Sequence, residues 1–179
     1  MERLNDAMSK IAIGILVAAL VVMIANTTDA ATRATGFLKG IEGFRPVPYL
    51  DAVGKKSIGY GFTSLDMVGR GRLSEREASM ELFRLCRSIS RKLRAELNNQ
   101  RLAAFEETAL VSFVYNVGWA NFKASTMCRL LKEGKRGAEV SKEFARWIYI
   151  TKNGRKVISK GLQERRKRER LCFEGRKAF

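Results

Sequence analysis

Residues 11–25 read IAIGILVAALVVMIA, fifteen consecutive positions without a polar side chain. Asn26, Thr27 and Thr28 extend the uncharged stretch to Asp29. A bilayer-spanning helix needs roughly 20 apolar residues, with about 17 as the lower limit, so this run sits at the boundary. Gly14 and the alanines at 12, 18, 19 and 25 lower its hydrophobicity further. Three readings are open: a buried core helix, a cleaved signal peptide with Thr28-Asp29-Ala30 as its small-residue site, or an uncleaved signal-anchor. The charged decapeptide before the run argues against the first. Glu2 and Asp6 beside Arg3 and Lys10 weaken the second, whose leading region is normally positive.

Charge divides the chain at the same place. Residues 1–31 hold Arg3 and Lys10 against Glu2, Asp6 and Asp29, so the whole +16 excess falls beyond them. Such a domain is drawn to polyanions: nucleic acid, anionic lipid or the acidic polymers of a cell envelope. Histidine is absent, which excludes imidazole bases and His-containing metal sites. Three cysteines are too few for a four-Cys zinc site or a disulfide-built scaffold. No cofactor and no metal is expected.

Beyond residue 31 the sequence reads as one domain. A short amphipathic helix is expected over 35–43, with Phe37, Leu38 and Ile41 on one side. Pro46 and Pro48 then disfavour helix, while Tyr49, Ile58 and Tyr60 among glycines suit a small hairpin or three-stranded sheet. Residues 64–73 read as an exposed loop. Ser74 and Glu77 form a capping box that opens a helix to about Leu97, with Ala78, Leu82, Leu85, Ile89 and Leu93 as its stripe. Residues 101–115 form an apolar core helix, and further helices are expected near 126–133, 137–150 and 159–176. The fold class is α+β, a small β-sheet lobe joined to a larger helical lobe with a cleft between, after an N-terminal hydrophobic helix.

Glu42 closes the 35–43 helix and Asp51 follows nine positions later in the sheet region. Two carboxyls on opposite walls of a cleft can divide acid and base work in glycoside hydrolysis, one protonated and one ionised. By spacing alone the pair is a weak signal, since most such pairs are surface charges.

The surrounding motifs sharpen it. IEGF at 41–44, PYLD at 48–51, Gly54 and SIGYGFT at 57–63 resemble the catalytic region of phage-type lysozymes, glycoside hydrolase family 24. The segment ALVSFVYNVG at 109–118, with Phe122, Ser125 and Thr126, is similar to that family's central helix and following turn. Arg146-Trp147, Gly154, Gly161-Leu162, Arg165-Arg166 and Glu169 resemble its C-terminal motif. The similarity spans about residues 33–173. The apolar N-terminus is similar to the signal-anchor-release segment of lambdoid-type endolysins.

The resemblance implies a peptidoglycan muramidase with Glu42 as general acid, Asp51 as water-activating base and Ser57 as the hydroxyl that orients that water. Ser57 stands where the family carries threonine, and Phe62 where some members carry histidine. Tyr60 and Asn116 are expected to face the saccharide, Trp119 and Trp147 to be core, and Arg165 and Arg166 to brace the acid-bearing helix. Residues 1–30 would form the anchor or signal segment and 31–179 the catalytic domain. The implied partners are peptidoglycan and the bacterial inner membrane, through residues 11–28, with a monomer facing or released into the periplasm. Residues 159–179 hold eight basic and three acidic side chains but no interleaved aromatics, so no specific nucleic-acid partner is expected. A lytic transglycosylase and a non-catalytic peptidoglycan binder are the alternatives. If any cysteines pair, Cys128 and Cys172 are the expected couple.

Overall fold

The computed structural model describes residues 2–51, 54–152 and 154–176. The first helix, α1 (Glu2–Glu42), runs through the expected boundary at residues 30 and 31 without a break. Its exposure changes there. The described side chains from Lys10 to Val21 are exposed, whereas Ala30, Ala31, Ala34, Phe37 and Leu38 are buried. The side chains of residues 22–28, part of the apolar run, lie outside the described set, as do the terminal residues 1 and 179 of the two expected segments. Among the described residues, no helix is long and apolar enough to cross a membrane.

The helix ends where Gly43 takes φ +67° and its N–H bonds to the Lys39 carbonyl. Strands β1 (Arg45–Leu50) and β2 (Lys56–Gly59) then form an antiparallel hairpin pairing Tyr49 with Ser57 and Leu50 with Lys56. Its register breaks between Arg45 and Tyr49, where Pro46 and Pro48 have no N–H to give the ladder. A lone bridge from Ile58 to Phe62 takes the place of a third strand.

Residues 64–73 are largely exposed, as their polarity suggests, but they are not a plain loop. They contain α2 (Leu65–Gly69), which buries Met67, and Leu73 is buried behind it, its N–H bonded to the Pro46 carbonyl. Two apolar anchors in a polar stretch suffice to seat it on the core. Helix α3 (Glu75–Glu96) opens with the expected reciprocal capping box between Ser74 and Glu77. Its buried stripe is Ala78, Leu82, Cys86, Ser90 and Leu93. Leu85 and Ile89 are half-buried and turn toward the cleft instead. Helix α4 (Ala104–Val117) is the central helix, buried from Glu107 through Val114.

Two short helices, α5 (Trp119–Lys123) and α6 (Thr126–Lys132), follow. The long helix expected over 137–150 is instead α7 (Ala138–Ser141), a 3-10 turn (Lys142–Arg146) and the first strand of a second hairpin. That hairpin pairs β3 (Tyr149–Lys152) with β4 (Arg155–Ile158). The adjacent β-branched pairs Ile150–Thr151 and Val157–Ile158 suit strands. Helix α8 (Lys160–Phe173) is the last described helix and packs along α4. Cys86, Cys128 and Cys172 are free and buried, so the expected Cys128–Cys172 bridge is not formed. They serve as small apolar core residues, which is the usual role of a buried cysteine.

Candidate active site

A cleft of about 1610 Å³ opens between the β1–β2 hairpin and the helices. Ordinary small-molecule pockets hold about 300–1,000 Å³, so this one has room for an extended polymer. Glu42, Asp51, Ser57 and Asn116 all line it. Four of the five residues singled out in the sequence are thereby brought to one site.

Glu42 projects from the last residue of α1, and its carboxylate is held from behind. Arg165 Nη1 donates to Glu42 Oε1. The same guanidinium sends Nε to Glu169 Oε1 at 3.0 Å and Nη2 to the Ser112 carbonyl at 3.1 Å. Ser112 Oγ donates to Glu169 Oε1 at 2.7 Å. Burial works against the Arg165 charge, but Glu42 and Glu169 outweigh it and hold the guanidinium above its ordinary pKa. Gly61, at φ +87°, passes on the other side of Glu42: a Cβ there would sit 3.4 Å from Oε2. Only glycine combines that backbone with that approach at no steric cost.

Asp51 sits at the tip of β1. Its Oδ1 accepts from the Lys55 N–H at 2.8 Å, and its own N–H bonds to the Lys55 carbonyl at 3.0 Å. These contacts fix the start of the hairpin turn; Ala52 and Val53 within it lie outside the described residues. Ser57, opposite Tyr49 in the ladder, is 2% exposed and donates from Oγ to the Lys55 carbonyl at 3.3 Å. Asp51 and Ser57 are therefore positioned by the same few residues of hairpin.

Tyr60 departs from expectation. Its side chain is 2% exposed and lies behind the cleft, where the hydroxyl donates to Glu75 Oε1 at 2.9 Å and the ring packs against Phe44. Tyr60 lies in the tight turn closed by the Ile58–Phe62 bridge, and the ring does not line the cleft. Its backbone is nonetheless tied to the site, because Tyr115 donates from its hydroxyl to the Tyr60 carbonyl at 2.8 Å.

Of the two arginines, Arg165 reaches Glu42 and Arg166 reaches Asn116, with Nη2 2.6 Å from Oδ1. Trp119 and Trp147 pack against the core as expected, and both also line the cleft.

Sequence reasoning missed Tyr49, Tyr115 and Tyr149 as cleft residues. Strand alternation held the signal for Tyr49, two positions before Asp51 and hence on its side of the hairpin. Burial, then the charge of Glu42, push the Tyr49 and Tyr115 phenols upward, so both stay neutral donors in the working range. Tyr149 belongs to the hairpin that the sequence reading took for helix. Among the described residues, no three Cys, Asp or Glu side chains converge in a way that would hold a metal ion.

Comparison with known proteins agrees with this geometry. The phage lysozyme family profile matches residues 39–169, from the last turn of α1 into α8. The chain is 34% identical over 143 residues to the SAR-endolysin of Bacteriophage PS119, covering 76% of this chain and 79% of that protein. It is 32% identical over 141 residues to the SAR-endolysin of Enterobacteria phage P21, with coverage of 76% and 79%. Among solved structures, the muramidase domain of SpmX from Asticaccaulis excentricus superposes with a TM-score of 0.68 at 26% identity, covering 78% of this chain and 93% of that one. The endolysin from Escherichia coli O157:H7 phage FAHEc1 gives 0.64 at 26% identity, with coverage of 79% and 90%. With its lysozyme-like fold and a carboxylate-bearing cleft inside the matched segment, the chain belongs to the phage lysozyme family and is a lysozyme.

Proposed function

We propose that this lysozyme hydrolyses the β-1,4 bond between N-acetylmuramic acid and N-acetylglucosamine in peptidoglycan and so lyses bacterial cells. Glu42 gives its carboxyl proton to the glycosidic oxygen as the bond from the anomeric carbon breaks. Asp51 takes a proton from a water that attacks that carbon from the opposite face, and Ser57 Oγ helps orient the water. The carboxylate left on Glu42 is stabilised by Arg165, which is already seated against it. The observation that carries this reading is the joint placement of Glu42, Asp51 and Ser57 on one polymer-sized cleft.

Residues 1–30 are proposed as a signal-anchor, with residues 11–28 entering the inner membrane and the domain from residue 31 facing or released into the periplasm. Two observations support this: the exposed apolar side chains from Ile11 to Val21, and the start of core burial at Ala30. The names of the SAR-endolysin relatives agree.

The test is clearing of chloroform-treated Gram-negative cells by the chain and by Glu42→Gln, with mass spectrometry of the released sugars. Clearing by the wild type with reducing-end muropeptides, and at least about a hundredfold loss in the variant, is expected from loss of a general acid. Anhydro-muropeptides would instead make it a transglycosylase. Equal weak clearing by both would reduce the activity to that of a polycation.

A further inference from the structure

Arg166 is 2% exposed, yet the packing around it does not account for its presence. Its Nε lies 3.1 Å from Glu169 Oε2 without hydrogen-bond alignment, and Nη1 has no hydrogen-bond partner among the described residues. Glu169 already serves Arg165 through its other oxygen. The Arg166 plane rests on the Phe113 ring, 4.9 Å from its centroid. Burial lowers its pKa to about 10, only partly offset by Glu169, so it remains charged at neutral pH. A buried, incompletely paired guanidinium is a poor way to gain stability. Its aligned hydrogen bond goes to Asn116 Oδ1 at 2.6 Å.

That bond has a chemical consequence. A guanidinium has only donors, so the Asn116 atom facing it must be the carbonyl oxygen. The amide cannot flip without setting N–H against N–H beside a buried charge. Asn116 is exposed on the last turn of α4 and lines the cleft. With its oxygen fixed inward, the group it offers to a ligand is the Nδ2 amine, which only donates.

We infer that Arg166 is a positioning residue that locks the Asn116 side chain with its amine toward the cleft, making Asn116 a selector for an amide carbonyl oxygen on the substrate. This inference rests on the reading of the cleft as a peptidoglycan site. Such an oxygen occurs in the acetamido groups of the sugars and in the stem peptides, and both are acceptors of the same kind. A free amino group in the acetamido position would meet the Asn116 donor with another donor, and the Arg166 charge lies close behind. A site built around a fixed hydrogen bond rejects a substrate lacking the partner more strongly than an apolar pocket rejects a change in size.

The experiment measures kcat and KM of the full chain on three glycans: intact peptidoglycan, peptidoglycan freed of stem peptides by an amidase, and peptidoglycan chemically de-N-acetylated. Wild type is compared with Asn116→Asp, Arg166→Met and the double variant, and thermal midpoints are recorded in parallel. Asn116→Asp keeps an acceptor toward Arg166 but removes the donor from the cleft, at an exposed position. Its KM on intact peptidoglycan is expected to rise about tenfold or more, with kcat moved far less.

The double variant is expected to be no worse in KM than Asn116→Asp alone, because Arg166 acts through Asn116. A purely structural Arg166 would give additive effects that follow the thermal midpoint, and that result overturns the inference. Equal wild-type KM on all three glycans overturns it as well, even if Arg166→Met does not fold. A rise in wild-type KM on the de-N-acetylated glycan assigns the partner to the acetamido group. A rise on the peptide-free glycan assigns it to the stem. Failure of the wild type to cleave any of the three removes the muramidase reading itself, and the inference with it.

Discussion

Arg165 of α8 and Glu42 at the end of α1 are 123 positions apart in sequence and form a direct ion pair, the guanidinium donating from Nη1 to Oε1. The arginine side chain is 7% exposed and the carboxylate 20%. The first and last helices of the lysozyme domain are thus joined at the group proposed to donate the proton. Arg168 adds a second tie, from Nη1 to the Gly40 carbonyl at 3.4 Å. Glu169 and Ser112 hold Arg165 from the far side, so the arginine cannot follow Glu42 if that residue moves.

Arg165→Ala is expected to destabilise the chain by about 3–5 kcal/mol, the usual cost of breaking a buried pair from one side. The gap would leave Glu169 with one cation in place of two. Arg165→Lys keeps the charge but loses the fork that reaches Glu42, Glu169 and Ser112 together, and should recover only part of that loss. Urea denaturation of the three proteins checks the order. A full recovery by lysine would show that geometry contributes nothing.

Gly61→Ala tests the left-handed backbone beside Glu42. At φ +87° an alanine is strained, and its Cβ would come into van der Waals contact with Oε2 at 3.4 Å. A loss of about 1–2 kcal/mol is expected from the backbone alone. The sharper expectation is a fall in kcat that exceeds any change in KM, since a backbone adjustment at residue 61 is felt at the reacting carboxylate. Steady-state kinetics on soluble peptidoglycan fragments would read it.

Tyr60→Phe should leave KM unchanged, because the ring is buried away from the cleft. Removal of the hydroxyl leaves Glu75 Oε1 without its 2.9 Å donor, and stability should fall by about 1 kcal/mol. The Tyr115 bond survives, since it is made to the backbone carbonyl of residue 60. A severalfold rise in KM without a change in thermal midpoint would return Tyr60 to the substrate site.

Alkaline stability should report Cys86, which is fully buried. Burial raises its thiol from 9.0 to about 11, with the Thr35 hydrogen bond opposing. The unfolded thiol therefore ionises first. Its contribution is complete below pH 9 and is lost as pH rises through 11, about 2–3 kcal/mol in all. Urea midpoints measured at pH 8, 9.5 and 11 should converge between wild type and Cys86→Ala as the pH rises.

Local chemistry made much of the molecule legible. The Ser74–Glu77 capping box, the apolar periodicity of α3, the continuous apolar run of α4, and the proline and glycine punctuation around β1 and β2 act over a few residues. Each was readable without knowledge of the rest of the chain. The short helix within 64–73 escaped the sequence because its seating depends on distant partners, whereas the β3–β4 hairpin is local and its signal lay in its own β-branched residues. Met67 and Leu73 find a core surface that their polar neighbours conceal.

The site divides in the same manner. By itself the sequence determined that Glu42, Asp51 and Ser57 stand in a helix–hairpin unit, because their spacing and the intervening turn formers are contiguous. Tertiary structure alone decided that Tyr60 turns inward while Tyr49 and Tyr115 face the cleft, since a ring's direction follows from the surface it packs against. It also decided which arginine serves which residue. Arg165 and Arg166 are neighbours with identical side chains. One turn of α4, from Ser112 to Asn116, separates their targets, and that difference exists only once α8 is laid along α4.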